Sequence, residues 1–234
     1  MTDSVPVITV DGPSGTGKGT ISLFLARYLK WHLLDSGALY RTLALAAQGC
    51  GISYEDIRGL AELARSLDVF FSPAKDCGES VLLDGKEVSQ AIRTETVGNA
   101  ASRIAVIPQV RMALLDRQRE YRKPPGLVAD GRDMGTVVFP DADLKIFLTA
   151  SPRERARRRH KQLKEKGFDV TLPQLSDEIT ERDNRDSQRT ASPLRPAENA
   201  MIIDTTRLSI DEVIQRVSGK VREKFPDNPV YADT

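Results

Sequence analysis

The run Gly12-Pro13-Ser14-Gly15-Thr16-Gly17-Lys18-Gly19-Thr20 matches the spacing G-x-x-x-x-G-K. Before it, Val5-Pro6-Val7-Ile8-Thr9-Val10 is short and β-branched and reads as a buried strand. After it, Ile21, Phe24, Leu25, Tyr28 and Leu29 recur at helical spacing and make one apolar face. A strand before and a helix after are the context this spacing requires. Glycines let successive backbone N–H groups turn inward into a concave anion nest. The helix start adds unsatisfied donors and the positive end of its dipole. Lys18 adds a full charge suited to the outer phosphates of a nucleoside triphosphate. A turn that merely joined strand to helix would need no lysine at that point. Position 19 is Gly, where such loops usually place the hydroxyl that holds Mg²⁺; the hydroxyl arrives one residue later, at Thr20. The expectation is therefore Mg²⁺ held mainly by phosphates and water, with no protein ligand assigned directly.

Further along the chain, apolar runs bounded by breakers alternate with helical patterns. His32-Leu33-Leu34-Asp35, Leu127-Val128-Ala129-Asp130, Lys145-Ile146-Phe147-Leu148-Thr149 and Met201-Ile202-Ile203-Asp204 read as strands. Helices are expected over 38–48, 108–123, 151–167 and 173–189. This alternation argues for an α/β fold with a central parallel sheet, five-stranded and flanked by helices, and right-handed crossovers. One stretch breaks the pattern. Asp68-Val69-Phe70-Phe71 is followed by Ser80 to Val88, in which Asp84-Gly85 is a preferred type I′ hairpin pair. A small antiparallel subdomain inserted over about 63–103 is the expectation. The tail, 226–234, has two prolines and little to bury, and is expected to be mobile.

Composition limits the function. In 234 residues, 34 Lys and Arg against 33 Asp and Glu leave a net charge of +1, which argues against a protein that coats nucleic acid or an anionic membrane. No stretch approaches the roughly 18 apolar residues of a spanning helix. Met1 to Pro6 has no basic run leading into an apolar one, so no secretion signal is expected. Two distant cysteines, Cys50 and Cys77, exclude a disulfide scaffold and a thiolate zinc site. The cytoplasm is the default compartment.

A triphosphate loop does not name a reaction. The acceptor has to be sought in other segments. Asp35-Ser36-Gly37-Ala38-Leu39-Tyr40-Arg41 follows a strand and opens a helix, where ligands of open parallel sheets bind. Ser36 is a candidate helix cap there, and Arg41 lies one turn in. In Ala129-Asp130-Gly131-Arg132-Asp133-Met134-Gly135-Thr136, a strand delivers three charges into a tight turn. Asp130 sits where a carboxylate would hold metal-bound water. Arg182, Asp186 and Arg189 share one helical face by their spacing, although Asp183 and Arg185 beside them also suit a solvated ion-pair ladder.

Residues 12–20, Leu33 to Arg41, Ala129 to Leu148 and Arg182 to Leu194 together resemble the bacterial cytidylate (CMP/dCMP) kinases, nucleoside monophosphate kinases, over about 6–217. The loop is shared by many kinases; the 130–136 and 182–189 segments are more selective. The resemblance implies a P-loop NTPase core at about 5–62, 104–150 and 169–225. It also implies an NMP-binding insert at 63–103 and a helical lid at 151–168. It implies transfer of the ATP γ-phosphoryl group to CMP or dCMP, with Mg²⁺. By the resemblance, Gly12 to Thr20 bind ATP, and Lys18, Asp130, Arg132 and Arg189 serve catalysis. Ser102, Arg111 and Asp133 would read cytosine, Arg182 and Asp186 would hold the ribose, and Arg41, Arg132 and Arg189 would clamp the acceptor phosphate beside Ser36 and Tyr40. These residue types suit those roles, since a carboxylate accepts from the cytosine N4 amine and Arg meets phosphate oxygens in pairs.

Ser151 to Lys161 is dense in arginine, opening with an S-x-x-E capping box and Pro152 at the first helical position. The family resemblance makes it a lid over ATP, with Arg155, Arg158 and Arg159 as candidate contacts. A plain surface helix and an RNA-binding stripe are the other readings; near-neutral charge and few aromatics weigh against the last. A kinase for another small acceptor and a triphosphate-gated regulator are the rival functions. The chain is expected to act on free nucleotides as a monomer, without nucleic acid or membrane partners.

Overall fold

The computed structural model describes residues 5–73, 79–165, 167, 169–189, 191–226 and 228. The elements run β1 (Val7–Asp11), α1 (Lys18–Leu29), β2 (His32–Asp35), α2 (Ser36–Gly49) and α3 (Ile57–Ser66). Next come β3 (Val69–Pro73), β4 (Glu79–Leu83), β5 (Lys86–Glu87), α4 (Glu95–Ile104) and α5 (Pro108–Arg119). The chain continues through β6 (Leu127–Gly131), β7 (Leu144–Thr149), α6 (Pro152–Glu165), α7 (Leu172–Ser187), β8 (Met201–Asp204) and α8 (Ile210–Lys224). All five expected strands form one parallel sheet of order β2-β6-β1-β7-β8. The central strand β1 is buried at every residue, and its register aligns Asp11 with Gly131 on β6 and with Phe147 on β7. The functional loops that follow β1 and β6 therefore leave the sheet side by side, at its C-terminal edge.

The chain divides into two compact units. The first is Met1–Leu34 with Tyr121–Thr234, and the second is Asp35–Glu120. The first has its core where Ile8, Val10, Val128, Ile146 and Leu148 of the sheet meet Ile21, Leu25 and Leu29 of α1 and Val213, Val217 and Val221 of α8. Both helices bury an i, i+4 stripe, which is what their apolar periodicity provides. In the second unit, Leu39 and Leu43 of α2 pack with Leu60 and Ala64 of α3, Ile104 of α4 and Leu114 of α5. This unit also carries the three-stranded sheet β3-β4-β5, which lies within the 63–103 stretch. Asp84 and Gly85 join β4 to β5 with φ of +49° and +74°, the left-handed pair a type I′ turn demands.

Several local expectations need correction. Ser36 does not cap α2. Asp35 does, its Oδ1 accepting the Ala38 N–H at 2.8 Å, because a carboxylate one residue earlier reaches the same donor. The 151–154 capping box forms by half. Ser151 Oγ accepts from the Glu154 N–H, but the Glu154 carboxylate turns to Arg157 and Arg158 instead. The helix expected to 189 ends at Ser187, so Arg189 lies past the C-cap Gln188 rather than on the helical face. α5 ends at Arg119, not 123. Cys77 and most of the 226–234 tail lie outside the described residues. Among the described residues, no helix is long and apolar enough to cross a membrane.

Candidate functional site

The turn between β1 and α1 has the features of an anion receptor. Gly12 takes φ of +144°, and a Cβ there would run into the Leu148 carbonyl oxygen of β7, so only glycine fits. Gly17 caps α1 without a side-chain hydrogen bond, and the first turn of α1 holds no acidic residue. The dipole end and first-turn N–H groups of α1 are thus left without side-chain compensation, the condition for anion capture. Lys18 is 6% exposed and donates from Nζ to the Pro13 carbonyl at 2.9 Å; Thr16 Oγ1 donates to the same oxygen at 3.0 Å. Burial drives the Lys18 pKa down to about 7, with help from the Arg132 charge and against the pull of Asp130. A negative charge placed beside Lys18 would oppose that shift.

β6 ends in the second loop. A Cβ on Gly19 would lie 3.6 Å from Asp130 Oδ2, so the Asp130 carboxylate faces the start of α1. Among the described residues no group of three His, Cys, Asp or Glu side chains is arranged to hold a metal ion. One carboxylate beside a phosphate loop fits a hydrated Mg²⁺, which takes most of its ligands from phosphate and water. The turn itself is anchored from below. Asp11, buried at the end of β1, accepts the Met134 N–H at 2.9 Å and the Gly135 N–H at 2.8 Å. Burial raises the Asp11 pKa to about 7; the two N–H bonds oppose the rise, and the Asp133 and Asp130 charges add to it. The anchored backbone winds into a single π turn, Met134–Val138, with buried Asp133 at its head.

Arg132 leaves this turn toward α7. Its Nε donates to Asp186 Oδ2 at 2.8 Å, and Arg189 pairs with the other oxygen. Asp186 is 1% exposed. Burial disfavours its charge, but Arg132 and Arg189 outweigh burial and hold its carboxyl below the usual range. Arg182 adds its charge to the same cluster. Two distant sequence segments, the turn after β6 and residues 182–189, thus meet in a cationic group braced by one carboxylate. The ion-pair-ladder reading holds for the other side of α7, where exposed Glu181 pairs with Arg185 at 3.1 Å.

Of the arginines on α6, Arg155 is buried against the phosphate loop. It donates to the Ser14 carbonyl at 3.2 Å, to the Ala150 carbonyl at 3.0 Å and to Asp183. Arg158 binds Thr205 Oγ1 at 3.1 Å and the Thr205 carbonyl at 2.6 Å, fixing α6 to the segment after β8. Arg159 is half-buried.

The remaining candidates lie on the second unit. Arg41 Nη2 pairs with Asp35 at 3.0 Å, while its buried Nε has no hydrogen-bond partner among the described residues. Ser36 Oγ accepts from Gln118 Nε2 at 2.8 Å, and Tyr40 is buried in the same helix. Ser102 is buried on α4 with its hydroxyl unpaired among the described residues, and Arg111 on α5 donates to the Ala105 carbonyl at 3.2 Å. Sequence reasoning missed Asp11, Asp35, Gln118 and Thr205 as supports of the candidate side chains. It met Asp183 only as part of a surface ladder. Asp35 had a signal, since Asp before a helix start is a capping residue; a buried Gln118 had none.

The profile of the family described as "Cytidylate kinase" matches residues 8–223. Relatives carry the same name. The cytidylate kinase of Nitrosococcus oceani is 60% identical over 93% of this chain and 96% of its own. Those of Stutzerimonas stutzeri and Methylococcus capsulatus are 57% and 58% identical, over 96% and 92% of this chain and 98% and 96% of theirs. With an anion-binding loop at the head of α1 and a braced arginine cluster on the same sheet edge, the chain belongs to the cytidylate kinase family.

Proposed function

We infer that the protein transfers the γ-phosphoryl group of ATP to the 5′-phosphate of CMP or dCMP, giving ADP and CDP or dCDP. Membership of the cytidylate kinase family and the pairing of a phosphate loop with the Arg132–Asp186–Arg189 cluster support the reading. The observation that carries it is Lys18, buried in the glycine loop with Nζ on the Pro13 carbonyl, at a helix start with no acidic residue in its first turn. The attacking oxygen belongs to a phosphate already ionised at neutral pH, so the step needs no general base. Catalysis is positioning plus neutralisation of a loose transition state.

In this reading residues 12–20 cradle the donor phosphates, and Lys18 follows the transferring group. Asp130 would help hold a hydrated Mg²⁺, which when bound would supply further neutralising charge. Arg132, Arg189 and Arg41 grip the acceptor phosphate, beside Ser36 and Tyr40. Asp133, Ser102 and Arg111 read the base, and Arg182 and Asp186 the ribose. The unpaired hydroxyl of buried Ser102 and the unpaired Nε of Arg41 support a ligand for these two side chains, because buried polar groups are normally satisfied. Residues 63–103 serve as the nucleotide-binding insert, and 151–168 as the lid; of its candidate arginines Arg155 is taken up by Ser14, Ala150 and Asp183, which leaves Arg158 and Arg159 for ATP. The protein works as a cytoplasmic monomer on free nucleotides.

The test is ADP release with CMP as acceptor. Lys18→Ala is expected to lower turnover by on the order of 10²–10³ while the protein stays folded. Wild-type turnover in that variant would reject the assignment of the loop.

A further inference from the structure

Asp183 and Asp186 of α7 lie about one turn apart and hold different arginines. Asp186 braces Arg132 and Arg189. Asp183 grips both terminal nitrogens of Arg155, Nη1 on Oδ1 at 3.0 Å and Nη2 on Oδ2. Arg155 sits in the first turn of α6 and is 2% exposed. Its Nε is bound to the Ala150 carbonyl, and Nη1 also reaches the Ser14 carbonyl. A guanidinium has five N–H donors. Four of them are directed at protein oxygens here, so Arg155 is spent as a strut and does not serve as a hand for phosphate.

What the strut holds is informative. Ser14 lies inside the anion nest, and its carbonyl is drawn toward Arg155. In a planar trans peptide the C=O of Ser14 and the N–H of Gly15 point in opposite directions. With the carbonyl held on the Arg155 side, the Gly15 N–H is turned to the opposite side, where the donor-site reading puts the phosphates. Arg155 keeps that orientation only while Asp183 fixes its fork, since a bidentate pair sets both direction and tilt.

We propose that Asp183 is a positioning residue for the donor triphosphate, acting through Arg155 on the Ser14–Gly15 peptide of the phosphate loop. The proposal rests on the donor-site reading given above. It separates these two carboxylates: Asp183 serves the donor and Asp186 the acceptor.

The experiment is titration calorimetry with ADP alone and with CMP alone, on the full chain. Wild type, Asp183→Asn, Asp183→Glu, Arg155→Lys and the double variant Asp183→Asn with Arg155→Lys are compared. Asp183→Asn is expected to weaken ADP binding about tenfold and leave CMP binding within about twofold, as expected for loss of a charge-assisted pair. Asp183→Glu is expected to recover most of the ADP affinity. In the Arg155→Lys background the Asn substitution should add less than about twofold, because the two residues act as one unit. Equal weakening of both ligands, no weakening of either, or full additivity in the double variant would overturn the proposal. Should Asp183→Asn fail to fold, Asp183→Ser, which also removes the carboxylate, takes its place in the cycle with Arg155→Lys, with the same outcomes. A wild-type protein that bound no ADP would instead overturn the donor-site reading itself.

Discussion

Lys18 and Asp11 are both buried, both near the phosphate loop, and both displaced toward neutrality from opposite sides. Each charge is expensive in the nucleotide-free protein. Asp11 titrates in the folded state near 7 against an ordinary 3.8, so its contribution to stability falls as pH rises from about 4 to 7. Lys18 titrates near 7 against 10.5, so its contribution falls as pH drops from about 10 to 7. Stability is therefore held down near neutral pH by the residues the chemistry needs. Lys18→Met is expected to raise the melting temperature of the ligand-free protein at pH 7 by several degrees, corresponding to on the order of a few kcal/mol. The gap should narrow as pH is raised toward 10, where unfolded lysine also loses its proton. Calorimetric melting across that range checks it; a variant less stable than wild type at pH 7 would contradict it. Lys18 was legible as a candidate because the loop spacing marks it, and the structure places it buried at the head of α1. Asp11 was not, because its partners Met134 and Gly135 come from a distant turn and are backbone groups with no side-chain signature.

At the scale of elements, local signals were readable where a cap or turn fixes them, and unreadable where packing does. Asp84-Gly85 announced its turn. The S-x-x-E at Ser209 and Glu212 forms a full capping box at the start of α8, whereas the same pattern at Ser151 yields its glutamate to two nearby arginines. α4 was missed although Val97, Ala100, Ala101 and Ile104 recur at i, i+3, i+4 and i+7, because Thr96, Val97, Gly98 and Asn99 are poor helix formers and the stripe rests on small alanines. It is held by the burial of Val97, Ala100, Ala101 and Ile104 in the core of its unit. Ser209→Ala removes the α8 cap and should cost about 1 kcal/mol, seen as a melting point lower by roughly 2–4 °C with kcat unchanged. Asp11→Asn leaves one of the two turn N–H groups facing an amide NH₂. It should raise the KM for CMP more than the KM for ATP, because the turn it anchors presents Arg132 and Asp133. Equal changes in both constants would count against that anchoring role.

At the scale of the whole molecule, the alternation of apolar runs and helices was enough to expect a five-stranded parallel sheet. It could not give the order β2-β6-β1-β7-β8, because strand order depends on which crossovers pack and not on any one segment. The candidate residues fall on both compact units: the phosphate loop and the Arg132–Asp186–Arg189 cluster on one, Ser36, Arg41, Ser102 and Arg111 on the other. A transfer that avoids loss of phosphate to water requires mobile segments to respond to both ligands. Hydrogen exchange should slow in 86–103 and 151–165 when ADP and CMP are added together, and less with either alone; unchanged exchange in both stretches would oppose closure. The most direct test of cytidylate phosphorylation is ADP release from ATP across a panel of nucleoside monophosphates, run on wild type and Asp133→Ala. Turnover with CMP and dCMP is expected in the wild type. In Asp133→Ala the expected loss falls on the use of CMP far more than on ATP binding. A wild type that releases no ADP above background with CMP, yet turns over with a different acceptor, would contradict it.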